Sequence, residues 1–423
     1  MTARNAAPMI TPGLLGDFRL LLTLFIAFRV MIALVYQPLL VNGVERGVSA
    51  GGDFLYYYQL GALSEEGYLP FRDWWSEFPP VPSLLNTVIY QLVGRSENYP
   101  AFALMFGLIM LICEIGNLFL VRRIGTRLHG AVTGMGLAWV YALLLAPLVF
   151  MWWNFEPLVA FLLLLGMSFL VDGRPYRAGA AAGVGALVKF TPALILGAVW
   201  RFLPVRTAVR SSALLIGMFG GVYLLLFLQN AEMTLPSLTA QFNKPSYQTV
   251  WALIDGSYRT GNFGPAEDRL DPATAAASAG PPAVIPGIVR LMAAIAIGAF
   301  VFVRTRRHDE RGLVAFVAIT LLIFFLQAQG WSPQWLSQIL PLLLLCFPTR
   351  QSITALILLS LLTFAEYPFL FIRTGDTGGV IDGALVPPFI ALVLARTLLL
   401  LAYCAALYRQ LRREPAERVE FAP

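Results

Sequence analysis

The chain has 423 residues, 58% of them hydrophobic and 13% charged, with a formal net charge of +6 and a mean hydropathy of +0.71. A balance that apolar, spread over the whole length, excludes a soluble globular enzyme and a disordered chain and indicates a polytopic membrane protein. The basic residues are dispersed between apolar runs, without a patch of interleaved aromatics, which excludes a nucleic-acid surface.

The first apolar run, roughly residues 20–41, is long enough to span and has no small-residue cleavage site after a short core, so it is expected to stay as an anchor. Further along, arginines recur in clusters at Arg122, Arg123 and Arg127; Arg174 and Arg177; Arg201, Arg206 and Arg210; Arg304, Arg306, Arg307 and Arg311; and Arg409, Arg412 and Arg413. Such clusters mark the cytoplasmic side of a membrane protein. Threading the apolar runs between them predicts about twelve spans with both termini inside, at roughly 20–41, 101–121, 131–151, 156–172, 178–188, 191–203, 211–230, 286–303, 312–328, 335–348, 352–372 and 387–408. The predicted fold is therefore an all-α polytopic membrane protein, one integral domain over 1–423, in the plasma (inner) membrane. Two large extracytoplasmic loops, roughly 42–100 and 231–285, and a shorter one near 373–386 remain. A helix is predicted over 54–63, and the amphipathic stretch 81–92, too short to span comfortably, is placed along the outer interface.

Two pairs of spans are short. Arms of about eleven residues at about 1.5 Å rise reach about 17 Å, little more than half of a hydrocarbon core about 30 Å thick. The tips of the 178–203 and 312–348 hairpins, Lys189-Phe-Thr-Pro192 and Gln327-Ala-Gln-Gly-Trp-Ser-Pro-Gln-Trp335, are thus expected below the outer surface. Non-helical backbone at that depth is tolerated around a polar or water-filled hollow, so both tips are expected to line one that opens outward, with Asp53 above it.

A charge inside a span costs on the order of 3 kcal/mol near the bilayer centre and needs a partner or a role. Arg29 and Glu114 fall at similar depth and are predicted to pair, as are Arg396 and Glu366; Lys189 has no matched acid in the sequence and is the first candidate to bind an anion. Cys113, Cys346 and Cys404 all lie in apolar runs with no disulfide or metal spacing and read as small core residues. The first outer loop concentrates the acids. Asp53 lies in Gly51-Gly-Asp-Phe-Leu-Tyr-Tyr-Tyr58, and Asp73 and Glu77 lie in Gly67-Tyr-Leu-Pro-Phe-Arg-Asp-Trp-Trp-Ser-Glu-Phe-Pro-Pro80. Aromatic neighbours suit them to shape a pocket.

Taken together, Asp53 after the first span, the Gly-Tyr-x-Pro-Phe-x-Asp run, Glu-Phe-Pro-Pro before an interfacial helix, Leu-Val-Lys-Phe-Thr-Pro at 187–192 and Trp-Ser-Pro-Gln-Trp at 331–335 resemble the GT-C superfamily of glycosyltransferases. The similar branch is that of bacterial polyprenyl-phosphate-mannose-dependent mannosyltransferases, and the likeness runs over most of the chain. It implies an enzyme that moves a sugar, mannose or another hexose or pentose, from a polyprenyl-phosphate donor to a lipid-linked or cell-envelope glycan, with inversion, on the extracytoplasmic face. It also implies an acid of the first outer loop as catalytic base.

The residues agree with that implication, because displacement at an anomeric carbon needs a base on the acceptor hydroxyl and a cation for the departing phosphate. Asp53 is the expected base; the alternative is that it caps the helix that follows. Asp73 and Glu77 are candidates to orient the acceptor or tune Asp53, against turn formation and interface solvation. Lys189 is the first candidate for the donor phosphate, with Lys244, Arg259 and Arg290 as alternatives. Trp331, Gln334 and Trp335 are candidates to pack the first isoprene units or bond the phosphate, against plain interfacial anchoring. Of the three tyrosines, Tyr56 is favoured and Tyr57 least, since a residue three beyond Asp53 shares its face. The stretch from Asp271 to Pro286 is expected to be a mobile lid or a plain connection, and the tail from Glu414 to be disordered.

The chain departs from part of that branch in having no histidine on the outer side, since His129 and His308 sit in cytoplasmic loops beside arginines. No cofactor is expected. A divalent ion on Asp53, Asp73 and Glu77 is not favoured, because no Asp-x-Asp pair follows the first span. The rival readings are a lipid-linked glycan transporter or flippase, which would show an inverted repeat and acids at midplane, and a glycan polymerase or ligase, which would favour arginine pairs in an outer loop.

Overall fold

The computed structural model describes residues 13–35, 39–41, 44–46, 52–261, 264–276, 280–374 and 379–414. Helices occupy every apolar run in chain order: α1 (Phe18–Val35), α2 (Phe54–Ala62), α3 (Pro80–Ile89), α4 (Tyr99–His129), α5 (Ala131–Leu143), α6 (Leu145–Phe150), α7 (Glu156–Val171), α8 (Pro175–Val188), α9 (Ile195–Phe202) and α10 (Val205–Gln229). They continue with α11 (Ala231–Thr234), α12 (Pro236–Asn243), α13 (Val250–Asp255), α14 (Gly287–Arg304), α15 (Glu310–Gln327), α16 (Leu336–Cys346), α17 (Arg350–Phe364), α18 (Phe371–Thr374) and α19 (Val386–Arg412). The protein is an all-helical polytopic membrane protein; α4, α10, α14, α15 and the 383–412 helix that holds α19 are each long and apolar enough to cross a bilayer unaided. Among the described residues the one departure is a small antiparallel pair, β1 (Leu39–Val41) with β2 (Val44–Arg46).

Local chemistry sets the helix ends. Asn98, Asp309 and Thr349 accept a backbone N–H with their side chains at the starts of α4, α15 and α17, satisfying donors that a helix start leaves open. Several expected boundaries move. The 20–41 run stops being helical at Val35 and its end forms β1, with 36–38 outside the described residues. The 131–151 run breaks at Leu144, which is extended, three residues before Pro147. The 352–372 run kinks at Tyr367, whose backbone is extended (φ −137°, ψ 132°), as helical backbone is disfavoured for a residue that precedes a proline in the sequence. The 54–63 and 81–92 helices are found as α2 and α3, and α3 turns Ser83, Asn86 and Ile89 inward while Leu84 and Val88 stay exposed.

The core runs along the bundle axis. α4 packs on α5 and α7, α7 on α8 and α16, α8 on α10, and α15 on α16 and α19. Every residue of α16 is buried, and all but Ser337 and Gln338 are apolar, as a helix enclosed on every side requires; α10 and α14 instead expose rows of Leu and Ile, as a lipid-facing helix does. Cys113 and Cys346 are buried and Cys404 half-buried, all as free thiols.

One end of the bundle gathers the arginines. Arg123 pairs with Asp172 at 2.5 Å, Arg127 with Glu310 at 2.6 Å, and Arg201 and Arg311 donate to the carbonyls of Thr305 and Leu128. His129 Nε2 meets the Leu345 carbonyl at 2.7 Å in the same region. Of the two predicted buried pairs, Arg396–Glu366 is present. Arg29 and Glu114 do not form one: Glu114 accepts from Tyr141 Oη at 2.7 Å and Asn117 Nδ2 at 3.1 Å, while Arg29 lies over the Phe25 ring at 3.4 Å. The two charges still feel each other, but nearer neutral donors occupy the carboxylate.

Candidate active site

At the opposite end, the chain twice turns back inside the bundle. α8 is 14 residues long, about 21 Å at about 1.5 Å per residue and short of a full crossing. It ends at Lys189, which is extended, and the chain then returns through Thr191 and Pro192 into α9. A Cβ on Gly185 would meet the Pro192 ring at 2.6 Å, so glycine there lets the return arm cross so close. The second reversal, 328–335, joins α15 to α16 and is tied to the loop before α13: Tyr247 N donates to Gln329 O, and Trp331 N to Tyr247 O. Both tips line one cavity of about 1000 Å³, with Lys189 and Thr191 from the first and Gln329, Gly330, Gln334 and Trp335 from the second.

Asp53 lines that cavity. Its backbone N–H donates to the Trp153 carbonyl at 2.9 Å, and a Cβ on Gly52 would fall on the Trp153 ring, 1.4 Å from Cδ1. Glycine before the acid is therefore what lets this strand of chain lie against Trp153, itself stacked on Tyr367 at 3.5 Å between centroids. Asp53 stands at the start of α2 but makes no side-chain cap, which removes the capping alternative. Its carboxylate instead accepts from Tyr57 Oη at 3.2 Å. Burial pushes the Asp53 carboxyl up to about 7; Tyr57, Lys189 and Lys244 pull it down, and the charge of Glu77 adds to the rise. The Tyr57 phenol is pushed well above its usual range by burial and by Asp53, so it remains a donor.

Three cations face the same space. Lys189 Nζ pairs with Glu156 Oε2 at 2.9 Å and lies 5.5 Å from the Trp335 ring centroid; Glu156 also accepts from Gln338. Lys244 pairs with Glu77. Arg290, in the first turn of α14, is 4% exposed, and its Nε and Nη1 have no partner among the described residues; Nη2 reaches Gln329 Oε1 only at 3.4 Å. Guanidinium donors left open in this way are able to bond an anion. The cavity is also lined by Phe190, Leu238, Phe242, Ile288, Leu291 and Phe324, of which Phe190, Phe242 and Ile288 are also exposed on the outside, so this apolar limb of the hollow reaches the bundle's surface.

The structure therefore brings together Asp53, Glu77, Lys189, Lys244, Arg290, Gln334 and Trp335 around one cavity. Tyr56 does not belong to it: its hydroxyl accepts from Arg269 Nε at 2.5 Å on the other side of α2, and Tyr57 takes the place foreseen for it. Asp53 is itself in helical backbone, and from there the neighbour four residues on, as much as the one three on, shares its face. Asp73 is a turn former, accepting from Leu69 N at 2.8 Å and pairing with Arg72 at 2.7 Å. Arg259 is held in a bridge to Val380 away from the cavity lining. Trp331 lies behind the wall, under the Arg396 guanidinium at 4.4 Å. Lys189 has an acid after all, Glu156. Glu156 opens the 156–172 run and was not weighed in the sequence, although an acid opening an apolar run after Trp152-Trp153-Asn154 was a signal.

The stretch thought to be a lid is partly fixed. Trp75 Nε1 donates to the carbonyls of Asp268 and Asp271, Thr274 hydrogen-bonds beside them, and Pro281 and Pro282 line the cavity, while 277–279 and the tail 415–423 lie outside the described residues. Of the three acids considered for a divalent ion, Asp53 and Glu77 line the cavity. Asp73 is elsewhere, Lys244 already neutralises Glu77, and no three His, Cys, Asp or Glu groups meet among the described residues.

No family model matches the chain, and no curated protein does. Among solved structures, ArnT from Cupriavidus metallidurans in the apo state aligns with 93% of this chain and 75% of its own at 14% identity, with a TM-score of 0.50. The same protein bound to undecaprenyl phosphate aligns over 93% and 77% at 14% identity, with a TM-score of 0.47. The apo oligosaccharyltransferase of Archaeoglobus fulgidus covers 92% of this chain but only 55% of its own, at 11% identity and a TM-score of 0.40. The likeness to apo ArnT is one of fold alone.

Proposed function

We propose that the protein is an inverting glycosyltransferase that moves a sugar from a polyprenyl-phosphate donor to a hydroxyl of a lipid-linked or cell-envelope glycan. The observation that carries this reading is Asp53 on the wall of a cavity that also holds Lys189, Lys244 and Arg290 and runs out through an apolar limb. In the reaction the acceptor oxygen forms a bond to the anomeric carbon while the bond from that carbon to the phosphate oxygen breaks. Asp53 takes the acceptor's proton, and the electron pair leaves with the polyprenyl phosphate. Because the hydroxyl becomes acidic only as the new bond forms, a carboxylate held in place by Tyr57 and lifted to about 7 is a competent base near neutral pH. Arg290, whose donors are open, takes the phosphate, and Lys189 and Lys244, each balanced by a glutamate, offer further N–H donors beside it. The apolar limb takes the first isoprene units, with Trp335 and Gln334 at the junction.

We place this chemistry on the extracytoplasmic side of a bacterial inner membrane. α7, α8, α14, α15 and α16 each have one end at the cavity and the other among the arginines, and arginine-rich ends stay inside. The resemblance of the sequence motifs implies mannose, or another hexose or pentose, as the sugar. Purified protein given a panel of polyprenyl-phosphate sugars and a glycolipid extract tests the reading: transfer by the wild type and its loss in Asp53→Asn support it, and equal transfer by the variant removes Asp53 from the mechanism.

A further inference from the structure

One cavity residue combines strain, burial and an open donor. Gln248 is fully buried, lines the cavity, and has φ +50°, in the left-handed region that side-chain-bearing residues seldom adopt. It is held there from every side. Tyr247 and Thr249 on either flank are hydrogen-bonded to the 329–331 tip, Thr249 Oγ1 to the Gln329 carbonyl at 3.0 Å. The Gln248 carbonyl itself accepts from Arg396, which Glu366 fixes in turn. Strain of this kind persists only where the surroundings over-determine it, as at functional sites.

The side chain explains what the strain is for. Oε1 accepts from Gly261 N at 3.2 Å, and that contact settles the amide's orientation, since turning it over would set N–H against N–H. The group left over is therefore the amide nitrogen, and Nε2 is buried without a partner among the described residues. A buried donor left open is normally satisfied, here by something that enters the cavity. We propose that Gln248 is a substrate-reading residue whose Nε2–H donates to an oxygen of the lipid-linked donor, either of its phosphate or of its sugar. This deepens the function proposed above and rests on it for the identity of the ligand. The buried Arg396–Glu366 pair, remote from the chemistry, then acts as the strut that aims this amide.

The test compares binding of undecaprenyl phosphate and of an undecaprenyl-phosphate hexose to the wild type, Gln248→Gly and Gln248→Glu in detergent, with melting temperatures measured alongside. Glycine accepts the left-handed backbone, so Gln248→Gly is expected to melt within a few degrees of the wild type and to lose about tenfold in affinity. Gln248→Glu keeps the side chain's shape and its bond to Gly261 but turns the donor into an acceptor, and is expected to lose at least as much. A loss for both lipids assigns the contact to the phosphate, and a loss confined to the hexose lipid assigns it to the sugar. Unchanged affinity for both lipids in either variant overturns the inference, as does a fall in affinity matched by a collapse of the melting temperature in both. A wild type that binds both lipids yet transfers from neither would overturn the proposed transferase while leaving this comparison decisive.

Discussion

Asp53 and Tyr57 form the smallest unit of the account. Because burial raises the carboxyl to about 7, and the base must be unprotonated to take a proton, activity is expected to fall below about pH 7 as Asp53 gains its proton and to level off above. Tyr57 donates to the ionised carboxylate and so lowers that value; Tyr57→Phe is therefore expected to move the acid limb of the kcat/KM profile to higher pH. A limb that stays in place would separate Tyr57 from the base. Asp53→Asn is expected to lose more than about 100-fold in kcat, the usual scale for a missing general base. At this scale the sequence revealed the acid but not its donor. The choice between Tyr56 and Tyr57 depends on whether Asp53 is itself in helical backbone, and that is decided by the packing of Gly52 against Trp153, a contact between residues a hundred positions apart.

Elements position these side chains, and here the two short reversals matter most. The meeting of both tips in one hollow was legible because each carries polar, non-helical backbone inside an apolar run, although only the first has two short arms, α15 being long enough to cross a bilayer by itself. Their partners were not. Lys189 finds Glu156 at the head of α7 and Arg29 fails to reach Glu114, because similar depth in a bundle does not fix rotation about the helix axis. Glu366 and Arg396 do meet, tying the kink after α17 to α19. Replacing Glu366 alone by Gln leaves a buried guanidinium without its counter-charge and is expected to destabilise by about 3–5 kcal/mol, whereas replacing both residues by apolar ones of similar volume is expected to cost much less. Thermal unfolding in detergent reads both. A double variant as unstable as the single one would show that the bonds of Arg396 to Gln248, and not its charge balance, carry the effect.

The whole molecule is a hollow at one end of a bundle whose other end carries the arginines. Span order was readable because apolar runs alternate with polar segments, and the arginine clusters do gather at one end of the bundle; the small strand pair and the kinks were not readable, since turn and proline effects act within a few residues. The proposed orientation can be checked along one helix. In a chain without its native cysteines, Glu232→Cys just beyond α10 is expected to react with a membrane-impermeant maleimide on intact cells, and Arg210→Cys near the helix start only after permeabilisation; the reverse would turn the cavity inward. The most direct test of the central claim is a density map of the protein with polyprenyl phosphate bound. The account requires the phosphate inside the cavity, within hydrogen-bonding reach of Arg290 or one of the two lysines and facing Asp53, with the prenyl chain leaving past Phe242 and Ile288. A phosphate seated outside that cavity, or among the arginines at the other end, would contradict it.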